Sequence, residues 1–212
     1  MNYDDFITNT GYFFLIINTL VFTISYTSKN KASKYFIMYL ILCLFIQLFS
    51  SILSDLRQNN LYLSHYFFTG QFIFLSLFFS KLHDFKKIKK LIRSLAFVIA
   101  LSIILYFNKT PDALNKWNIL EISLTSIPLL IYSFLFFVKK ISDNKSKKYI
   151  YFNSGFFVYT LCSTLIFCVG NIGTRTLKLY VWDINNFLYL IFQILIFVEW
   201  YKNFKPSFKK SE

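Results

Sequence analysis

Long apolar runs alternate along the chain with short segments that hold most of its charged residues. Seven runs approach the length of about 20 residues that an α-helix needs to cross a hydrocarbon core roughly 30 Å thick. They cover residues 6–26, 35–54, 61–81, 92–107, 117–138, 149–170 and 184–203. Because lipid offers no partner for free backbone N–H and C=O groups, each run should be helical. The pattern predicts a single transmembrane domain over residues 1–212, an all-α polytopic bundle of seven transmembrane helices.

Basic residues are concentrated in every second connecting segment. The segments after the first, third and fifth predicted helices, together with the C-terminal tail, contain most of the 23 Lys and Arg residues. The other segments contain only Arg57, Lys109, Lys116, Arg175 and Lys178. Loops rich in Lys and Arg stay in the cytoplasm. The asymmetry therefore predicts an N-out, C-in topology and, for a bacterial protein, location in the inner (cytoplasmic) membrane.

The composition agrees with a membrane protein. Charged residues make up 16% of the chain, against about 25% in a typical soluble domain, and hydrophobic residues make up 56%. The net charge of +13 would suggest nucleic-acid binding in a soluble protein. Here the basic residues lie in short loops and the aromatic residues lie in the apolar runs. We therefore expect the lipid bilayer, and not nucleic acid, to be the partner of this chain.

Polar residues recur at helical spacing within several of the apolar runs, so each of these helices has one polar face. Such residues face the interior of a bundle or a cavity, because exposure to lipid is costly. The topology places several of them in the outer half of the membrane, which predicts a ligand-binding pocket there. The candidate pocket residues are Asp55, His65, Glu121, Thr125, Asn171, Asn186 and Gln193. The alternative is that these residues only join helices, through hydrogen bonds worth about 0.6 kcal/mol each.

Other residues near the predicted helix ends have simpler interpretations. An interfacial aromatic belt is predicted from Tyr62, Tyr66, Trp117 and Trp182. Glu199, near the cytoplasmic end of the last run, is followed three residues later by Lys202. The spacing suggests an interfacial carboxylate that is neutralised by this lysine.

Few residues are candidates for catalysis. The chain has two histidines, His65 and His83, and His83 lies in a basic loop, which excludes a multi-histidine metal site. Asp55, His65 and Glu121 supply acid–base groups for an intramembrane lipid-modifying hydrolase. That alternative stays open. The preferred interpretation is a non-enzymatic protein without catalytic residues, bound metal or cofactor.

Four segments of the chain carry a resemblance in style and topology. They are NNLYLSHYFFTGQFIFLSLFF, LEISLTSIPLLIYS, STLIFCVGNIG and INNFLYLIFQILIFVEWYKNF. In these segments the chain resembles the small seven-span membrane proteins without soluble domains that occur in AT-rich bacteria of the Bacteroidota type. It also resembles the small multi-span accessory proteins of RNA-targeting CRISPR systems. These resemblances imply a regulatory protein encoded beside a sensor kinase, or an antiviral defence protein that modulates a nuclease.

The sequence leads to three hypotheses of function. The first is a membrane sensor or regulatory protein that binds a ligand in the outer pocket and acts through a cytoplasmic protein partner. The partner would contact the basic loops, at Lys86, Lys87, Lys89, Lys90, Lys139 and Lys140. The second is an accessory protein of an antiphage or CRISPR system, acting as a nuclease modulator or pore former. The third is the lipid-modifying hydrolase.

Overall fold

The computed structural model describes residues 3–26, 31–142, 147–170 and 175–205. Within these ranges the chain forms seven α-helices. They are α1 Tyr3–Ile24, α2 Lys31–Asp55, α3 Tyr62–Leu82, α4 Lys86–Lys109, α5 Ile119–Ser142, α6 Ile150–Gly170 and α7 Arg175–Asn203. A short 3-10 helix, Pro111–Asn115, follows α4. The described residues contain no β-strand, so the predicted all-α class is confirmed.

Six of these helices are long and apolar enough to cross a membrane, namely α1, α2, α4, α5, α6 and α7. The helix α3 is not among these six, and it contains the polar residues His65, Gln71 and Lys81. Its polar side is covered by protein, since α3 packs against α2, α4 and α5. The polypeptide therefore has the composition and architecture of a multi-pass membrane protein.

Six helices form a closed ring in the order α1, α2, α3, α5, α6 and α7, with α7 packed against α1. The remaining helix, α4, lies outside the ring and packs mainly on α3. Sequence neighbours are adjacent in the ring except where α4 leaves it. In this order α3 and α7 lie on opposite sides of the ring, which determines which side chains face each other across its centre.

Aromatic side chains fill one half of the ring interior. The rings of Phe36 and Phe152 have centroids 4.6 Å apart, and Phe78 lies 5.7 Å from Phe36 and 5.5 Å from Phe152. All three side chains are fully buried. Edge-to-face aromatic pairs of this kind contribute about 0.5–1.5 kcal/mol beyond their buried area. The abundant phenylalanines thus form a packed column inside the bundle as well as a surface for lipid.

Contacts between helix ends define two ends of the bundle. At one end Lys139 binds Asp84, Tyr149 binds Ser33, and the ammonium group of Lys148 lies over the ring of Phe204. This end, called the basic end below, joins the start of α2, α4 and α6 to the end of α3, α5 and α7. At the other end Asn59 donates a hydrogen bond to Asn115, and the segment before α5 contacts α6 and α7.

Glu199 caps a neighbouring helix at the basic end. Its carboxylate accepts hydrogen bonds from the backbone N–H groups of Tyr149 (2.6 Å), Tyr151 (2.9 Å) and Phe152 (3.4 Å), and from the side chain of Asn203 (2.8 Å). The side chain is fully buried, whereas Lys202 is exposed. The interpretation of Glu199 as a carboxylate neutralised by Lys202 is therefore wrong. The N–H groups at the start of α6 have no partner within that helix, and they attract an anion.

His83 is a buried histidine of the basic end, and we expect it to make stability depend on pH. Burial lowers its pKa, and the neighbouring Lys139 lowers this pKa further, while Asp84 has a smaller opposite effect. A lowered folded-state pKa stabilises the protein above the unfolded-state pKa of about 6.5, and this stability is lost as pH falls. Thermal unfolding between pH 7.5 and 5 should show this loss, with a limiting slope of about 1.4 kcal/mol per pH unit.

The variant His83→Gln is the comparison, because it keeps a polar side chain but cannot titrate. Its stability should change less between pH 7.5 and 5 than that of the natural chain. The pH window avoids the titration of Asp84, whose pKa is lowered by its hydrogen bond from Lys139. Identical pH profiles of the two proteins would show that His83 makes no such contribution.

Candidate functional site

The ring of helices encloses a cavity of about 390 Å³. All six ring helices contribute to its wall, for example through Tyr12 of α1, Cys43 of α2, Gln71 of α3, Ser126 of α5 and Thr160 of α6. The side chains that α7 contributes are Trp182, Asn185, Asn186 and Tyr189. Because α4 lies outside the ring, it contributes none. The volume falls at the lower end of the range of roughly 300–1,000 Å³ for small-molecule sites.

The cavity wall is polar but uncharged. No Asp, Glu, Lys, Arg or His lines the cavity among the described residues. Its carboxamide groups belong to Gln47, Asn60, Gln71, Asn185 and Asn186. Its aliphatic hydroxyl groups belong to Ser50, Ser64, Ser126, Thr160, Ser163 and Thr164. Such a wall supplies many hydrogen-bond donors and acceptors without a fixed charge.

Two buried amides have hydrogen-bonding capacity that the protein does not use. Asn185 is 7% exposed, and its Oδ1 atom has no hydrogen-bond partner in the described part of the chain. Gln71 is 5% exposed, and its side chain makes no hydrogen bond to another described residue. The two residues lie on α7 and α3, on opposite sides of the ring. A buried polar atom without a partner costs about 1–3 kcal/mol, which makes Asn185 a candidate ligand contact. Gln71 is a second candidate because it lines the cavity.

Three aromatic rings line the cavity near the end of the bundle that is opposite to the basic end. Trp117 stacks on Phe167 with a centroid distance of 5.3 Å, and Trp182 lies 6.1 Å from Trp117 and 5.7 Å from Phe167. Trp182 is 40% exposed, so this aromatic cluster is open to the surroundings. Two of the four residues that were predicted to form an interfacial belt are therefore also part of this site. Trp117 and Trp182 contact each other and form part of the cavity wall.

The inner end of the cavity rests on the packed aromatic column. Tyr39, Tyr159 and Tyr189 line this end, and the ring of Tyr159 stacks on Phe192 at 5.3 Å. Phe192 in turn lies 6.0 Å from Phe152, which belongs to the fully buried cluster at the basic end. The cavity is therefore closed below by protein and opens toward one end of the bundle.

His65 and Glu121 form a buried pair beside the cavity. His65 Nδ1 lies within hydrogen-bond distance of Glu121 Oε2, and Thr69 donates a hydrogen bond of 3.3 Å to Glu121 Oε1. The two side chains are 4% and 2% exposed, so both are buried between neighbouring helices and neither faces lipid, as predicted. That they lie in the outer half of the membrane stays a prediction. A carboxylate can accept but not donate, so an ionised Glu121 requires the proton on His65 Nδ1. His65 Nε2 has no protein partner within the described residues and lies beside the ring of Phe107.

The local sequence explains the position of this pair. Asn118 caps α5, and its Oδ1 accepts the backbone N–H of Glu121 at 3.2 Å. Glu121 is thus in the first turn of α5, where the helix dipole stabilises a carboxylate. A glutamate at this position often turns back to the cap residue. Here the side chain reaches across to α3, and the arrangement joins two helices without contacting the cavity.

The other predicted pocket residues are separated by the structure. Asn186 lines the cavity. Gln193 accepts a hydrogen bond of 3.0 Å from Asn18, which links α7 to α1, and the Thr125 hydroxyl donates to the carbonyl of Glu121 in its own helix. Asp55 is exposed at the end of α2. Asn171 lies outside the described residues. That any of these residues holds a ligand stays a prediction.

The groups needed for other chemistry are dispersed. Among the described residues, no cluster of three or more His, Cys, Asp or Glu side chains is suited to hold a metal ion. The pair of His65 and Glu121 has the arrangement of a base and its orienting group, but no nucleophilic side chain in the described part of the chain hydrogen-bonds to His65 Nε2. The uncharged cavity is therefore the feature with the clearest capacity to bind a small molecule.

Comparison of the chain with protein-family models, with curated proteins and with solved structures finds no match. The fold and the cavity thus define only a class: a helical, multi-pass membrane-type protein with a polar cavity inside its bundle.

Proposed function

We propose that the protein is an integral membrane sensor or regulatory protein that binds a small ligand in the cavity and acts on a cytoplasmic partner. In this proposal all seven helices cross the membrane. The cavity opens on the outer side, and the basic end faces the cytoplasm. The observation that carries the proposal is the cavity inside the ring, because a wall made by all six ring helices couples an occupant to every one of them.

Transmembrane placement of α3 is supported by its neighbours. Although α3 is not among the six helices whose length and hydropathy match a membrane span, its polar residues His65, Gln71 and Ser76 are all buried. Polar side chains are accepted at membrane depth where they face the interior of the bundle. A helix of 21 residues is also long enough to span the hydrocarbon core, which takes about 20 residues.

The closed inner end of the cavity favours a sensor over a pore. A pore requires a continuous path, whereas the ring beneath this cavity is filled by fully buried side chains such as Phe72, Phe152 and Phe156. The same side chains form a physical route by which movement at the cavity reaches the basic end. Tyr159 contacts Phe192, Phe192 contacts Phe152, and Phe152 contacts Phe36 beside Tyr149. Packed cores shift between discrete arrangements, which suits them to this role.

The basic end offers a surface for the partner. Lys86, Lys87 and Lys90 are exposed at the start of α4, and Lys139 lies nearby through its bond to Asp84. Clustered lysines attract acidic surfaces of a protein partner as well as anionic lipid headgroups. The partner of this proposal is therefore a protein with an acidic docking surface.

The proposed orientation predicts which end of the bundle reacts with a membrane-impermeant thiol reagent on intact cells. Asp112→Cys and Lys87→Cys, each in a background that lacks the natural cysteines, replace exposed residues at the two ends. We expect labelling at position 112 alone, because the lysine-rich end stays in the cytoplasm. Position 87 should react only after the membrane is permeabilised. The reverse pattern would overturn the orientation.

The sensor function is tested with a tethered surrogate for the ligand. Ser64 lines the cavity, and Ser102 is exposed on α4, which lies outside the ring. In a background that lacks the natural cysteines, the matched variants Ser64→Cys and Ser102→Cys carry a single thiol inside and outside the ring. A benzyl methanethiosulfonate adduct at position 64 should change hydrogen exchange of the backbone over residues 147–153 at the basic end. The adduct at position 102 should not change it. Equal exchange in the two adducts would contradict transmission from the cavity.

A further inference from the structure

We infer that the ligand of the cavity is an uncharged molecule with a hydrogen-bonding head and an apolar body. This inference rests on the proposed function and names the class of ligand that the same site recognises. Three features of the wall carry it: the absence of charge, the unused hydrogen-bonding capacity of two buried amides, and the aromatic cluster on the open side.

The absence of charge excludes ionic ligands. A charged group that enters a cavity at membrane depth loses most of its hydration, and the loss is repaid only by an opposite charge or a dense set of hydrogen bonds. The cavity wall contains no Asp, Glu, Lys, Arg or His side chain within the described residues. The buried carboxylate of Glu121 does not line the cavity and is already hydrogen-bonded to His65 and Thr69. An anion or a cation would therefore lack a counter-charge, whereas a neutral ligand would not need one.

Two amides indicate a polar head that both donates and accepts. Asn185 Oδ1 is a buried acceptor without a partner among the described residues, so it calls for a donor such as a hydroxyl or amide group. Gln71, on the opposite side of the ring, has a free carboxamide that supplies both a donor and an acceptor. Several hydroxyls of the wall already donate to the chain, as Thr164 does to Thr160 and Ser64 does to Leu61. Their oxygen atoms remain available as acceptors for the head of a ligand.

The aromatic side chains accommodate the apolar body. Trp117, Phe167 and Trp182 form adjacent flat surfaces on the open side, and Phe67 and Phe68 extend this apolar wall along α3. Aromatic faces bind alkyl chains and the C–H faces of polyols through dispersion and burial of apolar area. Two sources supply such chemistry: a lipid-like amphiphile, or a free polyol that uses the aromatic surfaces for its C–H groups.

The experiment measures how ligands protect the cavity thiol of Ser64→Cys, in a background that lacks the natural cysteines, from methyl methanethiosulfonate, a small uncharged reagent. The probes share a hexyl chain: n-hexyl β-glucoside, hexyl sulfate and hexyltrimethylammonium, each below its micelle concentration. We expect the glucoside to slow labelling by about tenfold, equivalent to about 1.4 kcal/mol, and the two ions to change it less than about twofold. Asn185→Leu should remove the protection, whereas the matched variant Asp183→Ala, at an exposed site of α7 outside the cavity, should retain it.

Each outcome decides a separate point. Protection by the glucoside but not by glucose supports a lipid-like source of the shared chemistry, and protection by both supports a free polyol. Equal protection by hexanol, or better protection by either ion, overturns the inferred ligand class while the cavity remains a binding site. Absence of protection by the glucoside also overturns the class. If Ser64→Cys does not react with the reagent at all, the cavity is closed to small molecules and the proposed function fails as well.

Discussion

Glu199→Ala is expected to destabilise the protein by about 3 kcal/mol, because it leaves three backbone N–H groups at the start of α6 without an acceptor. Each unsatisfied buried donor costs about 1–3 kcal/mol, and partial access of water to Tyr151 keeps the total near the lower bound. For a chain of 212 residues this corresponds to a fall in the melting temperature of roughly 6–12 °C. The measurement is thermal unfolding of the purified protein in lipid nanodiscs.

The backbone of Tyr149 adds a second reason for a large effect. Its φ angle of 66° lies in the left-handed region, which is unfavourable for an aromatic residue. The conformation is held from both sides, since the N–H group donates to Glu199 and the phenol hydroxyl is hydrogen-bonded to Ser33 at 2.6 Å. Without Glu199 one of these restraints is lost. We expect hydrogen exchange over residues 147–153 to accelerate together with the loss of stability.

Two further variants separate capping from an ion pair. Glu199→Gln keeps the shape of the side chain but turns one acceptor oxygen into an NH₂ group that faces backbone donors, so an intermediate loss is expected. Lys202→Ala removes the lysine suggested by the sequence spacing, and its expected effect is below about 0.5 kcal/mol because Lys202 is exposed. A loss after Lys202→Ala that equals the loss after Glu199→Ala would restore the ion-pair interpretation.

Glu199 also shows why the sequence did not predict the partner of a buried polar side chain. The spacing to Lys202 is local and visible, whereas the real partner segment begins at Tyr149, 50 residues earlier in the chain. Helical periodicity identifies the polar face of each helix, but the neighbour of that face depends on the order of helices around the ring. This order changes where α4 leaves the ring, and the apolar pattern of α4 resembles that of the ring helices. The sequence also did not predict the hydrogen bond between Asn18 of α1 and Gln193 of α7, because this contact depends on the order of the helices around the ring.

Other features followed directly from the sequence. Apolar runs of membrane length predicted the helices, because backbone groups in lipid leave no alternative to internal hydrogen bonds. The inward orientation of His65 and Glu121 followed from the cost of exposing such groups to lipid. The sequence predicted the cavity only in part. Gln71 and Asn185 are ordinary polar residues within their helices, and only the facing positions of α3 and α7 bring them to one space.

The second large effect is expected at His65 and Glu121, where single substitutions should be costly and the double substitution mild. Glu121→Leu removes the acceptor for His65 Nδ1 and for the Thr69 hydroxyl, and His65→Phe leaves a buried carboxylate without its main partner. Breaking a buried pair from one side typically costs about 3–5 kcal/mol. Replacing both members by apolar residues of similar volume is often neutral, so the double variant should lie within about 1 kcal/mol of the natural chain.

The same cycle decides whether the pair contributes to ligand binding. Neither side chain lines the cavity, so the double variant, once folded, should retain protection of the thiol in Ser64→Cys by hexyl glucoside. Thr125→Val is the matched control on α5, because the Thr125 hydroxyl is bonded to its own helix and its loss should cost less than about 1 kcal/mol. Additive losses in the double variant would contradict direct coupling of His65 and Glu121. Loss of protection in a stable double variant would instead mean that the pair senses the ligand, as the sequence hypothesis for Glu121 proposed, and would extend the site from the cavity into the interface between α3 and α5.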